Sequence, residues 1–136
     1  MEKWVTEAIE LWKADGVKLN AGSSLKELEG VERRNGFKFP DDFKILYAHV
    51  NGFEDFDSRG FMLSLWSTGR IIEENDISMD CIMFADFSLS VCQYGFEKKT
   101  GRIFKAYTHF QQGGEYLTDS FREFIDLFNS ESELLF

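Results

Sequence analysis

Helical periodicity at both ends of the chain and two-residue alternation in its middle predict an α+β fold. The expected form is one domain over residues 1–136, a mainly antiparallel sheet (a mixed one is left open) of about five to six strands. Three N-terminal helices and one C-terminal helix pack on it. Consecutive strand signals are joined by short turns, not by helical crossovers. No Pro/Gly/Ser-rich linker, compositional shift or internal repeat divides the chain.

Trp4, Val5, Ala8, Ile9 and Trp12 recur at helical spacing, and Gly16 stops this first helix. Ser24 and Glu27 form a capping-box pattern at the second helix start, with Asn35 and Gly36 as its stop. A third helix follows Pro40, with Asp41 and Asp42 at its positive end. Phe43, Leu46, Tyr47 and Val50 share one of its faces, and Asn51 and Gly52 end it. From Phe61 the period becomes two: Phe61, Leu63 and Leu65 alternate, and Ser67, Thr68 and Gly69 read as a hairpin turn into a strand over 70–74. Residues 81–86 are a short apolar strand. Strands over 89–97 and 102–108 flank a hairpin loop with Gly101 in the left-handed position. Gly113 and Gly114 mark another break. A closing helix starts near Thr118 or Asp119, where Ser120 and Glu123 repeat the capping-box pattern. Phe121, Phe124, Ile125 and Phe128 form its apolar stripe. The tail, ending Leu134, Leu135, Phe136, either frays or docks.

Composition excludes several function classes. Against 24 acidic residues stand 15 basic ones, a formal charge of −9. Nucleic-acid and anionic-membrane binders need Lys and Arg to neutralise phosphate, so the fitting partner is basic. No apolar run approaches the roughly 18 residues of a membrane span. The first sixteen residues mix charges into their apolar positions, unlike a signal peptide. Cys81 and Cys92 cannot make the disulfide framework of a secreted mini-protein, and no Asn-x-Ser/Thr acceptor occurs. A reduced, cytoplasmic protein is expected.

Catalytic signal is close to absent, and no cofactor or metal is expected. His49 is read inside the third helix and His109 at the end of a strand, and no spacing joins them to each other or to a cysteine. Cys81 and Cys92, eleven residues apart, do not have a zinc spacing. Asp55, Asp57 and Gly60 open like a calcium loop. However, Arg59 stands where an oxygen ligand belongs, and Trp66 stands in place of the bidentate Glu. Asp41/Asp42 and Glu73/Glu74 are adjacent pairs whose side chains diverge, so neither is an acid/base dyad. No phosphate-cradling glycine motif occurs.

Charge distribution says more. Residues 54–86 carry 8 acids and 2 bases, net −6, against −1 for residues 1–53 and −2 for residues 87–136. Seven of these acids fall in two clusters, Glu54, Asp55 and Asp57, then Glu73, Glu74, Asp76 and Asp80. If residues 61–74 form a hairpin, its two ends bring these clusters together at one sheet edge, with Phe53, Phe56 and Phe61 nearby. Carboxylates with aromatic anchors suit a basic protein partner; a solvated acidic edge that prevents strand pairing is the alternative.

The stretch from Gly22, Ser23, Ser24 and Leu25 through Glu32, Gly36, Phe37, Lys38, Phe39 and Pro40 continues with Asp41, Asp42, Phe43, Leu46 and Tyr47 to Asn51 and Gly52. It resembles the SUKH superfamily, which includes fungal Smi/Knr cell-wall regulators and many bacterial immunity proteins. Phe39 stands where leucine is usual. Residues 81–86, Gly101 to Ile103, and Ser120, Phe121 and Phe124 are similar to later pieces of the family pattern, so the resemblance spans about residues 20–130. By physical role most of these residues are structural, Asp86 included.

The resemblance implies a non-enzymatic function: an antidote that binds a polymorphic or contact-dependent toxin domain, often a nuclease. The absence of disordered flanks looks more like the single-domain bacterial type than the larger fungal scaffolds. The expected partner is a basic toxin domain, with no direct nucleic acid or membrane contact, and the chain is expected to be a monomer or weak homodimer. The expected partner-binding residues are Glu54, Asp55, Asp57, Glu73, Glu74, Asp76 and Asp80 for charge, with Phe56 and Trp66 as anchors where exposed. An interaction scaffold of the Smi/Knr type is the alternative function. A catalytic role requires a deep pocket holding Cys92 or His109 beside a carboxylate.

Overall fold

The computed structural model describes residues 1–107 and 114–136. Among these, the element order is α1 (Lys3–Ala14), β1 (Leu19–Ala21), α2 (Leu25–Asn35), α3 (Asp41–Tyr47), β2 (Val50–Phe53), β3 (Leu63–Leu65), α4 (Thr68–Glu74), β4 (Cys81–Phe87), β5 (Cys92–Glu97), β6 (Ile103–Tyr107), β7 (Glu115–Thr118) and α5 (Phe121–Ser130). β3 to β7 form a five-stranded sheet in sequential order, and β1 pairs with β2 as a separate ribbon. Every strand pairing is antiparallel, so the α+β expectation holds without a mixed sheet.

The core lies between one face of the sheet and the helices. Phe84 and Phe96 from the sheet meet Phe43 of α3 and Phe121 of α5 edge-on or tilted, with centroids 5.4–6.2 Å apart. Trp12 of α1 packs edge-on against Phe53 and Phe128, and its indole N–H donates to Asn129 at 2.8 Å. Phe43 is the centre of this arrangement, stacked on Phe39 and Tyr47 with centroids 4.1 Å apart in each case. Phe43→Ala should therefore lose about 3–5 kcal/mol of stability. Urea denaturation checks this: the midpoint should fall while the m-value holds.

Local chemistry produces the helix ends where the sequence places them. Ser24 accepts from the Glu27 amide while the Glu27 carboxylate accepts from Ser24, and Gly36 ends α2 at φ 64°. Ser120 caps α5 by accepting from Glu123 N–H, but the Glu123 carboxylate takes the Thr118 hydroxyl, so the box is half made. The tail docks: a 3₁₀ turn over Glu133–Leu135 buries Leu135, and its carbonyl accepts from Tyr94 Oη at 2.9 Å.

Four expectations need correcting. The third helix stops at Tyr47, and Val50, Asn51 and Gly52 are strand; His49 is exposed in the turn between them. Residues 68–74 are a helix, not the return strand of a hairpin, because Ser67 accepts from Arg70 N–H as an N-cap and Ile71 is buried. The strand expected over 89–97 begins at Cys92, since Ser88, Leu89 and Ser90 all have positive φ. β1 and β7 add short strands that the periodicity does not reveal. The readings at Thr108, His109 and Gly113 lie outside the described residues.

Candidate functional site

Making residues 68–74 a helix changes the neighbourhood of the acidic residues. Asp55 lies at the N-terminal end of α4, where its carboxylate accepts from Ser67 Oγ at 3.0 Å. Glu73 and Glu74 are on the last turn of α4, and Asp76 and Asp80 lie beyond it. The clusters are thus separated by the helix, about 10 Å, instead of meeting at hairpin ends. Asp80 and Lys98 are joined through the backbone at 2.9 Å, which places the second cluster beside the β5–β6 turn.

The carboxylates are unequally committed. Asp57 accepts from the Lys18 amide at 2.6 Å, and its carbonyl accepts from Ser64 Oγ at 2.7 Å, so it holds the loop to the fold. Asp76 accepts from Ser78 Oγ at 2.7 Å, and this bond first, against a smaller desolvation effect, lowers its carboxyl below the usual range. Glu54, Glu73, Glu74 and Asp80 are exposed. Glu54 and Asp55 also line an open cleft of about 460 Å³ with Asn20, Asn51, Ser67 and Gly69.

The two aromatic anchors part company. Phe56 is 71% exposed and sits at φ 68°. Trp66 is 1% exposed, so it cannot touch a partner; its carbonyl accepts from Tyr47 Oη at 2.5 Å and it belongs to the core. Between them lies Arg70, which sequence reasoning did not single out. Its guanidinium carbon is 4.4 Å from the Trp66 ring and 5.1 Å from the Phe56 ring. Its Nη2 pairs with Asp86 at 2.6 Å and lies 3.3 Å from Ser90 Oγ, which donates to the same carboxylate at 3.0 Å. Arg70 and Asp86 are 5% and 2% exposed. A buried ion pair therefore ties α4, β4 and the 88–90 loop together directly beneath an exposed phenylalanine.

Arg59 does the same for the other loop. It is buried, pairs with Asp15 at 3.1 Å and Glu131 at 3.4 Å, and donates to the Phe128 carbonyl at 2.8 Å. The residue that spoils the calcium-loop pattern is thus the anchor of the loop. Among the described residues no group of three or more His, Cys, Asp or Glu could hold a metal ion. Both cysteines are free, and burial pushes both thiols up, so they are protonated at neutral pH. Cys92 is fully buried on the core side, while Cys81 lines a groove of about 430 Å³ on the open sheet face with Met83, Gly95 and Phe104. No helix is long and apolar enough to cross a membrane among the described residues.

The residues that carry the family-like pattern prove to be fold determinants. Glu32 accepts from the Phe39 amide at 2.7 Å and pairs with Lys44 at 3.3 Å, joining α2 to α3. Asn51 both accepts from Thr68 N–H at 2.8 Å and donates to its hydroxyl at 3.0 Å. Residues 22–127, more than three quarters of the chain, match the SMI1 / KNR4 family (SUKH-1). No curated protein matches the chain.

Proposed function

The chain belongs to the SMI1 / KNR4 family (SUKH-1), and on that premise we propose that it is an intracellular immunity protein. Domains of this family are generally immunity proteins in toxin systems. The proposed partner is a basic toxin domain, with a nuclease the best fit. A nuclease needs a cationic surface to hold nucleic acid, and an antidote can occupy it by placing carboxylates where phosphates would lie.

The observation that supports this reading is the 54–57 segment. It presents exposed Glu54 and Asp55, which line one cleft, next to an exposed Phe56, with Asp57 holding the loop in place. Glu73, Glu74, Asp76 and Asp80 extend the negative field along α4 and past it. Their separation from the first cluster is about one Debye length at physiological salt, close enough for the two to act together in steering.

The test uses the C-terminal domain encoded by the reading frame immediately upstream. Combining Glu54→Gln, Asp55→Asn, Glu73→Gln and Glu74→Gln should slow association at low salt by roughly tenfold and flatten its salt dependence. Dissociation should change little. Stopped-flow binding at several salt concentrations measures both rates. An unchanged association rate at low salt rules these carboxylates out as the binding surface.

A further inference from the structure

Six of the seven non-glycine residues with positive φ among the described residues lie on two neighbouring loops. Phe56, Phe61 and Met62 have φ of 68°, 60° and 58°; Ser88, Leu89 and Ser90 have 55°, 54° and 72°. L-residues avoid this region, and such strain persists only where surrounding structure over-determines it, most often at functional sites. Here the surrounding structure is the Arg59 and Arg70–Asp86 ion pairs.

The strained residues also expose large apolar side chains. Phe61 is 61% exposed and Leu89 64% exposed, with Met62 also out in solvent. Arg70 and backbone hydrogen bonds link their loops to the segment carrying Phe56. Ser90 touches Arg70 beneath Phe56, the Ser88 amide donates to the Met62 carbonyl at 3.1 Å, and Phe61 lies against Phe136 with centroids 5.3 Å apart. Large apolar side chains exposed on linked loops and edged by charge mark an interaction site more than ordinary surface.

We propose that this rim is the affinity-determining centre of the partner interface, and that it seats an apolar anchor side chain of a basic protein, flanked on that protein by Lys or Arg. The proposal rests on the immunity reading and names the surface and the partner chemistry it uses. Charge selects the occupant. Glu54 and Asp55 border Phe56, so a cationic protein gains attraction at the same edge. A second copy of this chain would bring the same acidic segments together, which is repulsive. Rigidity explains the strain: a preorganised rim loses little side-chain and loop freedom on binding.

In the native host, the photoreactive residue p-benzoylphenylalanine placed at position 61 or 89 tests this, with positions 29 on α2 and 104 on the open sheet face as controls. Irradiated adducts are identified by mass spectrometry. The expected result is one protein from both rim positions, with a bound domain of pI above about 9, and roughly tenfold less adduct from the controls. Leu89→Gly supplies the second arm. Glycine accepts the left-handed backbone, so its melting temperature should hold or rise, while adduct formation at position 61 falls about tenfold. Adducts to a second copy, to an acidic protein, or no adduct at all overturn the proposal. A basic toxin domain captured from position 29 or 104 but not from the rim overturns it too, while leaving the immunity reading standing. Undiminished adduct formation with Leu89→Gly also counts against the rim.

Discussion

Gly52→Ala should be among the most damaging single-methyl additions to this protein, lowering stability by about 3–5 kcal/mol. Gly52 has φ 63°, and a Cβ on it would lie 2.3 Å from the Trp66 carbonyl oxygen and 2.4 Å from the carbonyl carbon. Both are backbone atoms and cannot rotate away. β2 would have to lift from the Trp66–Ser67 backbone, which breaks the paired hydrogen bonds between Asn51 and Thr68 at the start of α4. Gly101→Ala is the matched control: it has φ 75° with nothing within 4 Å of an added Cβ. Conformation alone should cost it about 1 kcal/mol. Equal losses in urea denaturation of the two variants would show that close approach at Gly52 is not what matters.

Asp86→Ala should cost a similar amount, about 3–5 kcal/mol, for an electrostatic reason. It leaves the Arg70 guanidinium charged, 5% exposed and without its carboxylate. The exposed ion pair between Lys3 and Glu7 gives the contrast: breaking it should cost under about 1 kcal/mol. Combining Arg70→Met with Asp86→Leu removes both charges and should recover much of the stability lost by Asp86→Ala. It should not restore the Ser90 tether, since Ser90 bonds to both partners. Denaturation of Arg70→Met, Asp86→Leu and the double variant in a thermodynamic cycle gives the coupling. A coupling near zero would contradict the assignment of this pair as a unit.

Local features were legible in the sequence because neighbouring residues decide them. The Ser24–Glu27 capping box, the Gly36 stop and the α5 stripe depend on contacts within one helix, and each stands where its pattern placed it. Residues 68–74 read as a return strand from sequence because Ser67, Thr68 and Gly69 serve equally as a turn or as a helix start. Tertiary partners decide: Asn51 satisfies Thr68 at one end, and Asn75 bonds Ile71 and Met83 at the other. The same applies to Asn51 and Gly52, read as a helix exit, whose role depends on a segment fifteen residues later.

The candidate site was legible only in its charge. Composition concentrates acids in residues 54–86, but which carboxylates lie together depends on α4 being a helix. Trp66 and Phe56 look alike in sequence, and only packing separates a core ring from an exposed one. Of the apolar rim, Phe56 and Phe61 stand out in the sequence beside the acids, while Met62 and Leu89 leave no pattern. The segments carrying Phe61 and Leu89, both with positive φ, are tied down by Arg59, Arg70 and Asp86, whose partners include residues just past α1 and just past α5.

We propose that this chain neutralises a basic toxin domain through the face carrying Glu54, Asp55 and Phe56. Growth of cells producing the upstream-encoded C-terminal domain, with and without this chain, measures it most directly. The domain alone should arrest growth, the chain should restore it, and a folded variant combining Phe56→Ala, Glu54→Gln and Asp55→Asn should restore it far less. Full protection by that variant, or arrest that the unaltered chain does not relieve, would contradict the claim.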